Sequence, residues 1–187
     1  MEKIRMKSFG LLGVSWFLVV AFLATNTNEC CAQKRDLRYQ GPEVGEKFPD
    51  FNFVTIDGDE ISLAQMKEKV VVLNGWFVGC TGCKEEEPYL KEITKQFMDS
   101  NQVVFVGLAM SSPNRIRNYL SKRGDYGYLQ VSVSRKEMEE NFDIILSPSH
   151  FIIKNGVLIA KHTGSLVSIV PEYEWFKEEI AKAIDLK

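Results

Sequence analysis

Two apolar runs in the middle of the chain limit the folds that are open to it. Residues 70–73 (VVVL) and residues 103–109 (VVFVGLA) each continue without a charged residue. A strand that is apolar at every position is buried on both faces, which is typical of a parallel sheet covered by helices. Between the runs, apolar residues recur at the spacing of one helix face, namely Tyr89, Leu90, Ile93 and Phe97. The two runs therefore predict a strand-helix-strand unit in an α/β domain.

Further elements extend this unit in both directions. Asp57-Gly58 lies between two short runs and predicts an N-terminal hairpin, and Asn155-Gly156 predicts a second hairpin near the C-terminus. Periodicity also predicts a strand at 129–133 and helices at 113–122, 135–142 and 172–184. The predicted fold class is α/β: a central mixed β-sheet flanked by helices, with an N-terminal β-hairpin extension.

The N-terminus differs in kind from the rest of the chain. Three basic residues, Lys3, Arg5 and Lys7, precede an apolar run over residues 9–24, after which the chain turns polar. This order is typical of a secretory signal. As a helix the run would be about 24 Å long, whereas a bilayer core is about 30 Å thick. Residues 1–32 are therefore predicted to be a signal peptide, with an uncleaved membrane anchor as the alternative.

Either alternative exports the remainder of the chain to a periplasmic or other extracytoplasmic location, where disulfides persist. Of the four cysteines, Cys30 and Cys31 fall within the signal, so the mature chain keeps Cys80 and Cys83. One bridge over two intervening residues constrains the unfolded chain very little, which argues against a disulfide-stapled fold. The polar residues 33–47 are predicted to be a linker, followed by one domain over residues 48–187.

Composition narrows the class of partner. Apolar residues make up 45% and charged residues 26% of the 187 residues, which is ordinary for one globular domain. The formal net charge of −2 gives no basic surface of the kind that binds nucleic acid. No nucleic-acid partner is predicted, and contact with a membrane is expected only through an uncleaved N-terminal segment.

Cys80 and Cys83 lie between the strand at residues 70–74 and the following helix. This is the carboxyl end of a central strand, where the reaction sites of open α/β sheets collect. The amino end of a helix favours an anion, and therefore a reactive thiolate at Cys80, which is expected to face solvent. Cys83, one turn later, is expected to be more buried and to resolve a mixed disulfide.

Three glutamates, Glu85, Glu86 and Glu87, follow the pair directly. They are interpreted as acidic residues of a first helical turn, which stabilise the helix through its dipole. The same charges oppose a thiolate, and Lys84 offsets them only in part. A disfavoured thiolate makes a dithiol less stable relative to its disulfide, so the couple is predicted to lean towards reductant.

The segment 73–90 (LNGWFVGCTGCKEEEPYL) resembles the active site of thioredoxin-like proteins. The resemblance is strongest to the exported TlpA/ResA-like thiol-disulfide oxidoreductases of the AhpC/TSA-redoxin superfamily, which include cytochrome c maturation reductases. Matching residues are the family tryptophan, the redox pair, a frequent helix glutamate and the helix-kinking proline: Trp76, Cys80, Cys83, Glu86 and Pro88. The resemblance implies a thioredoxin-like fold and a redox-active Cys80–Cys83 disulfide, with no other cofactor.

A second segment supports the same resemblance. Ser147-Pro148, followed by an apolar strand, is similar to the cis-proline loop of the family, in which the proline faces the cysteine pair and the preceding residue pairs with the substrate chain. Two features depart from the family pattern: Gly79 replaces a frequent tryptophan, and Thr81-Gly82 replaces a common Gly-Pro. The substrate-binding surface is expected to be formed by the cysteine turn and the proline loop, namely Gly79, Thr81, Gly82, Ser147 and Pro148. The implied partners are thiol or disulfide protein substrates and a membrane electron donor.

Two non-enzymatic alternatives remain open, a copper-binding protein and a non-catalytic binding module of the same fold. Copper carriers of this fold usually have three residues between the cysteines and a distal histidine, whereas here there are two. His150 and His162 are assigned to strands, and no metal site is predicted. A peroxiredoxin-type peroxidase would need Pro-x-x-x-Thr/Ser-x-x-Cys, and neither cysteine has a proline at that position.

Overall fold

The computed structural model describes residues 40–167 and 172–186, which belong to one compact unit spanning residues 36–187. The predicted signal or anchor, residues 1–32, lies outside the described residues. Among the helices that are described, none is both long enough and apolar enough to cross a bilayer.

The strands form two sheets. The antiparallel pair β1 (Asn52–Val54) and β2 (Glu60–Ser62) confirms the N-terminal hairpin. The main sheet has the order β5-β4-β3-β6-β7, in which β3, β4 and β5 are parallel, and β6 and β7 are antiparallel to their neighbours. Its strands are β3 (Val70–Trp76), β4 (Val103–Ala109), β5 (Leu129–Ser132), β6 (Ser149–Lys154) and β7 (Val157–Thr163). The predicted mixed sheet is confirmed.

The helices begin and end within a few residues of their predicted bounds. They are α1 (Thr81–Phe97), α2 (Pro113–Arg123), α3 (Arg135–Phe142) and α4 (Glu172–Asp185), with short 3-10 turns at Ala64–Met66 and Met98–Ser100. Pro113 opens α2 in the first turn, where its missing N–H costs no hydrogen bond. Ser134 and Glu137 form a capping box at the start of α3.

The central strand is apolar throughout because both of its faces are covered. Val71 and Leu73 pack in a core cluster with α3 and the N-terminal hairpin, and Val70 and Val72 pack on the opposite face with α1 and α4. All four side chains are at most 1% exposed. The buried face of α1 is formed by Leu90, Ile93 and Phe97, whereas Tyr89, also expected there, is 39% exposed.

The described half of the predicted linker, residues 40–47, is bound to the domain. Gln40 is 2% exposed; its amide nitrogen donates to Ser149 Oγ at 3.0 Å, and its oxygen accepts from two backbone N–H groups of residues 145–146. Further along, Gly45 N–H donates to the Leu158 carbonyl at 2.8 Å. Backbone bonds along β7 shield that edge of the sheet. A polar composition did not reveal this, because the backbone and one buried amide make the contacts.

Candidate active site at the Cys80–Cys83 pair

The cysteine pair lies at the junction of β3 and α1. Cys80 is the N-cap of α1 and Cys83 lies in its first turn. The two form a disulfide with their Cα atoms 5.3 Å apart, and the Cys83 N–H donates to Cys80 Sγ at 3.2 Å. The amino end of the helix is therefore directed at the Cys80 sulfur, which is the arrangement that favours a thiolate there.

Exposure does not separate the two cysteines as expected. Cys80 is 7% and Cys83 9% exposed, so the expectation that Cys80 faces solvent and Cys83 is the more buried was wrong. The reason is packing, because both belong to an apolar cluster with Trp76 of β3 and Ile116 of α2. Helix polarity, rather than exposure, distinguishes the two sulfurs.

Trp76 packs in the same apolar cluster as the two cysteines. It is 2% exposed, and its Nε1–H donates to Gln130 Oε1 at 3.0 Å. On the neighbouring strand, a Cβ at Gly107 would come within 2.4 Å of the same oxygen, so glycine at 107 makes room for the buried amide. The Trp76 ring also lies 5.5 Å from the ring of Tyr119, between centroids. These contacts fix the indole within the apolar cluster that contains both cysteines.

Pro148 lies against the first turn of α1. The Ser147–Pro148 peptide bond is cis, as the resemblance implies. A Cβ at Gly82 would lie 3.2 Å from Pro148 Cδ and 3.5 Å from Ser165 Cβ, so glycine at 82 permits the close approach of the proline loop. The structure thus brings the proline loop and the cysteine turn together.

Glu86 forms the centre of a buried hydrogen-bonded chain. Its side chain is fully buried, and Oε2 accepts from the Leu166 N–H at 3.1 Å and from His150 Nε2 at 3.1 Å. His150 is also fully buried and is paired in register with Asn74 across β3 and β6. The Asn74 amide nitrogen lies 3.3 Å from His150 Nδ1. We call Asn74, His150 and Glu86 the buried triad.

The donors of the buried triad assign the histidine tautomer. An amide nitrogen can only donate, so the Asn74 side chain donates to an unprotonated His150 Nδ1. His150 Nε2 therefore carries the hydrogen and donates it to the Glu86 carboxylate. Within the described part of the chain, Glu86 Oε1 has no hydrogen-bond partner. A neutral ring thus connects the central strand to a carboxylate one helical turn after Cys83.

Glu87, the next residue, has a different environment. It is 3% exposed, and its Oε2 accepts from Arg123 Nε at 2.6 Å and from the Tyr119 hydroxyl at 3.1 Å. The hydrogen bond to Glu87 raises the pKa of Arg123. Burial, and then the Glu87 charge, raises the pKa of Tyr119, so the phenol stays protonated. We call Glu87, Tyr119 and Arg123 the surface triad.

The interpretation of the glutamates as first-turn residues was wrong. Because α1 begins at Thr81, Glu85, Glu86 and Glu87 lie in its second turn, and only Glu85 is exposed. The other two are held by tertiary partners and not by the helix dipole. Pro88, one residue later, lies inside α1 and removes one backbone donor there. The kink that the resemblance implies at this proline stays a prediction.

Other predicted site residues occupy the following places. Gly79 is exposed with a φ of 107°, a left-handed conformation that favours glycine, and a Cβ there would meet nothing within 4 Å. Thr81 is exposed beside it. Ser147 is half-buried, and its Oγ lacks a hydrogen-bond partner among the residues described.

Sequence reasoning missed the partners of the glutamates. His150 was assigned to a strand without a role, and Tyr119 and Arg123 were not singled out. One signal was available for the buried triad, since Asn74 and His150 each interrupt an apolar strand. A polar residue in such a strand is buried and needs a partner. No comparable signal marked Tyr119 or Arg123.

Comparison with known proteins gives the family. The profile of the family described as Redoxin matches residues 43–174. The chain belongs to the Redoxin family. It is 25% identical over 179 residues to the thioredoxin-like protein YneN of Bacillus subtilis, covering 94% of this chain and 96% of that protein. It is 24% identical to the thiol-disulfide oxidoreductase ResA of the same organism, covering 91% and 93% of the two chains.

Solved structures support the fold. The chain is similar to a putative thiol:disulfide interchange protein DsbE from Chlorobium tepidum, with a TM-score of 0.67, 18% identity and coverage of 76% of this chain and 98% of the other. At this identity the similarity shows the fold alone, which is thioredoxin-like. With the Cys80–Cys83 disulfide at the expected place, this member of the Redoxin family is a thiol-disulfide oxidoreductase.

The buried histidine is engaged within the protein. His150 uses both ring nitrogens, one towards Asn74 and one towards Glu86. Over residues 40–167 and 172–186, no group of three or more His, Cys, Asp or Glu side chains is arranged to hold a metal ion.

Proposed function

We propose that this thiol-disulfide oxidoreductase is exported and reduces disulfides in protein substrates, with Cys80 as the attacking thiol and Cys83 as the resolving thiol. The observation that carries the assignment of roles is the Cys83 N–H directed at Cys80 Sγ from the amino end of α1. A thiolate at Cys80 gains this donor and the helix dipole, and one at Cys83 does not.

The reaction conserves atoms and electrons without another cofactor. The Cys80 thiolate attacks one sulfur of a substrate disulfide, an S–S bond forms between enzyme and substrate, and the second substrate sulfur leaves as a thiolate that takes up a proton. Cys83, as thiolate, then attacks Cys80 Sγ and releases the first substrate sulfur. The substrate gains two electrons, and the enzyme is left with the Cys80–Cys83 disulfide.

The surface for the substrate chain is proposed to be the proline loop and the cysteine turn. Pro148 packs against Gly82, so the backbone of Ser147 lies next to the reacting pair. Thr81 and Gly79 are exposed on the same turn, where a substrate cysteine has to approach. Trp76, Glu86 and Pro88 are supporting residues in this proposal. Trp76 packs with both cysteines, Glu86 bonds α1 to His150 of β6, and Pro88 lies inside α1.

The direction of electron flow is inferred from Glu86. The Glu87 carboxylate has its own cation, Arg123, at 2.6 Å. Glu86 has a neutral imidazole partner instead and lies one turn after Cys83, on the same helix face. A buried negative charge here opposes a thiolate in the reduced form, which favours the disulfide form and a reducing potential. Regeneration then requires an electron donor, proposed to be a membrane carrier.

Export is proposed because basic residues precede an apolar run within residues 1–24, as in a secretory signal. Cell fractionation and N-terminal sequencing of the protein expressed from its full-length sequence test it. A mature N-terminus at Gln33 supports a cleaved signal, and an intact chain in the membrane fraction supports the anchor. Recovery of the intact chain from the cytoplasm would contradict export.

A trapping experiment tests the roles of the cysteines. Reduced Cys83→Ser protein is mixed with a polypeptide that carries one accessible disulfide, and non-reducing gels detect the adduct. We expect a mixed disulfide that dithiothreitol removes, because Cys80 attacks and nothing resolves the bond. Cys80→Ser, the matched control, is expected to form no adduct.

Two outcomes would contradict the proposal. Adducts through Cys83 alone would reverse the roles, and no adduct with either variant, together with stoichiometric copper in the purified protein, would favour the copper-binding alternative. Equilibration with glutathione measures the direction. A potential of about −270 mV supports a reductant, whereas one of about −120 mV would indicate an oxidant.

A further inference from the structure

A pocket of about 310 Å³ opens directly beside the attacking sulfur. It is lined by Gly79, Cys80, Thr81, Lys84 and Tyr119. Glycine at 79 leaves its outer side open, since no atom lies within 4 Å of the place a Cβ would occupy. Lys84 is exposed at the rim. A chain that presents a cysteine to Cys80 therefore passes next to a lysine ammonium group.

A second pocket, of about 200 Å³, continues from the first across Tyr119. It is lined by Val78, Arg115, Asn118, Tyr119 and Lys122. Arg115 and Lys122 lie on α2 seven residues apart, which is roughly 10 Å along a helix. An extended chain rises about 3.3 Å per residue, so about three residues span this distance. We call the two pockets together the Tyr119 groove.

The Tyr119 groove carries positive charge on a protein whose formal net charge is −2. Lys84, Arg115 and Lys122 line it, and no described residue that lines either pocket is acidic. Arg115 donates to the carbonyl of Val78 at 3.2 Å, which holds its guanidinium next to another residue of the groove lining. No carboxylate in the described part of the chain forms an ion pair with these three cations. Their charge is therefore available to a ligand.

Tyr119, which lines both pockets, is anchored by its side chain. Tyr119 donates its hydroxyl to Glu87, and the Arg123 guanidinium that neutralises Glu87 also lies 5.9 Å from the centroid of the Tyr119 ring. The Glu87 carboxylate that holds Tyr119 is thus already paired with Arg123. A fixed aromatic ring between basic side chains presents an apolar surface and positive charge to the same ligand.

We propose that the Tyr119 groove selects substrate polypeptides that carry acidic residues close to the reactive cysteine, since Lys84 lies one helical turn after Cys80 in the same pocket. The charge complementarity of Lys84, Arg115 and Lys122 identifies the ligand chemistry, and the length of the groove identifies a peptide segment as the occupant. The inference deepens the proposed function and rests on it. Opposite charge at the rim increases the encounter rate of enzyme and substrate.

Three disulfide-linked peptide dimers test the proposal. Their sequences are Ala-Cys-X-X-Ala, with X as aspartate, asparagine or lysine, and stopped-flow fluorescence follows their reduction by the wild-type dithiol protein. We expect the acidic dimer to react about tenfold faster than the neutral one at low salt, and the lysine dimer to be the slowest. The ratio should approach one at 1 M salt, where the Debye length is about 3 Å.

Matched variants locate the effect. The triple variant Lys84→Gln, Arg115→Gln, Lys122→Gln is expected to lose the acidic-to-neutral ratio. The control Lys67→Gln, Lys95→Gln, Lys136→Gln removes three exposed cations elsewhere and is expected to keep it, although both variants change the net charge equally. Lys84→Glu is expected to shift the preference towards the lysine dimer.

The outcomes separate this inference from the function on which it rests. Reduction of all three dimers at one rate at low salt, or an unchanged ratio in the triple groove variant, overturns the groove and leaves the oxidoreductase function intact. Failure to reduce any dimer, together with no Cys83→Ser adduct, overturns the proposed function and this inference with it.

Discussion

Glu86 and Glu87 are neighbours on one helix turn, yet they belong to different environments. Glu86 turns towards the sheet, where a neutral histidine and a backbone N–H hold it in full burial. Glu87 turns towards α2, where Arg123 and Tyr119 hold it, and the Arg123 side chain is 37% exposed. The buried triad therefore leaves a carboxylate without a counter-charge near the thiols, whereas the surface triad neutralises its own.

This difference assigns different roles to two residues that look alike in sequence. A carboxylate that is paired with a partly solvated arginine mainly connects two helices. A carboxylate that is buried with neutral partners influences the electrostatics of the cysteine turn. The following experiments test whether the two glutamates really differ in these ways.

Replacing each of the three glutamates singly by alanine is expected to give the largest effect, which is on the free energy of unfolding. Glu86→Ala removes the acceptor of two buried donors, His150 Nε2–H and the Leu166 N–H, and should lower the free energy of unfolding by about 3 kcal/mol. Glu87→Ala should cost about 1 kcal/mol, since Arg123 can be solvated. Glu85→Ala, the exposed control, should stay within about 0.5 kcal/mol.

Urea denaturation of the oxidised proteins measures this series. Equal losses for the variants at 86 and 87 would show that burial of the two carboxylates has the same energetic consequence. That result would remove the distinction between the buried triad and the surface triad.

The redox potential should change at one glutamate and much less at the other. Glu86→Gln removes the uncompensated charge and should make the couple more oxidising by about 30 mV, which is tenfold in the equilibrium constant. Glu87→Gln should shift the potential by less than about 10 mV, because Arg123 beside it is partly exposed and water screens the change in charge. Equilibration with glutathione measures both variants. A larger shift of the potential in Glu87→Gln would show that Glu87, and not Glu86, has the electrostatic role.

Acidification should lower the stability of the protein through His162, whose ring lies 6.1 Å from that of His150 in the buried triad. This effect on stability is expected to be the smallest of the three. Burial is the largest cause that lowers the pKa of His162, whereas the charges of Glu172 and Glu86 oppose the shift. The neutral ring can still donate to Glu172, so their contact needs no charge. A lowered pKa in the folded state means that its contribution is complete above about pH 6.5 and is lost as pH falls.

Thermal unfolding between pH 7.5 and pH 5 measures the contribution of His162 to stability. The wild type should lose more stability over that interval than His162→Gln, in which the titrating ring is absent. Identical pH dependence in the two proteins would show that His162 does not titrate differently in the folded state.

Much of the site could be predicted from the sequence because its signals are local. The apolar runs at residues 70–73 and 103–109 place the central strands, and the cysteine pair follows the first of them. Asn155-Gly156 marks the β6–β7 turn. Each signal depends on the backbone preference or burial of a few adjacent residues, which the chain carries wherever the segment lies.

The partners of these residues could not be predicted, because they depend on how the segments are packed together. Strand register places Asn74 opposite His150, 76 residues apart, and the packing of α1 over β6 brings Glu86 to that ring. In a segment that looks like a linker, Gln40 is buried in turn by its bonds to Ser149, 109 residues away, and to the backbone of residues 145–146. These hydrogen bonds join residues far apart in the chain, so no local pattern encodes them.

The sequence by itself determined the fold class, the redox pair and its position at a strand-to-helix turn. Only the tertiary structure decided that Cys80 is as buried as Cys83, that Glu86 and Glu87 have opposite surroundings, and that three cations line one groove beside the disulfide. The physical reason is that secondary structure follows from local preferences and hydrophobic periodicity. Burial and charge environment arise only when the helices pack on the sheet.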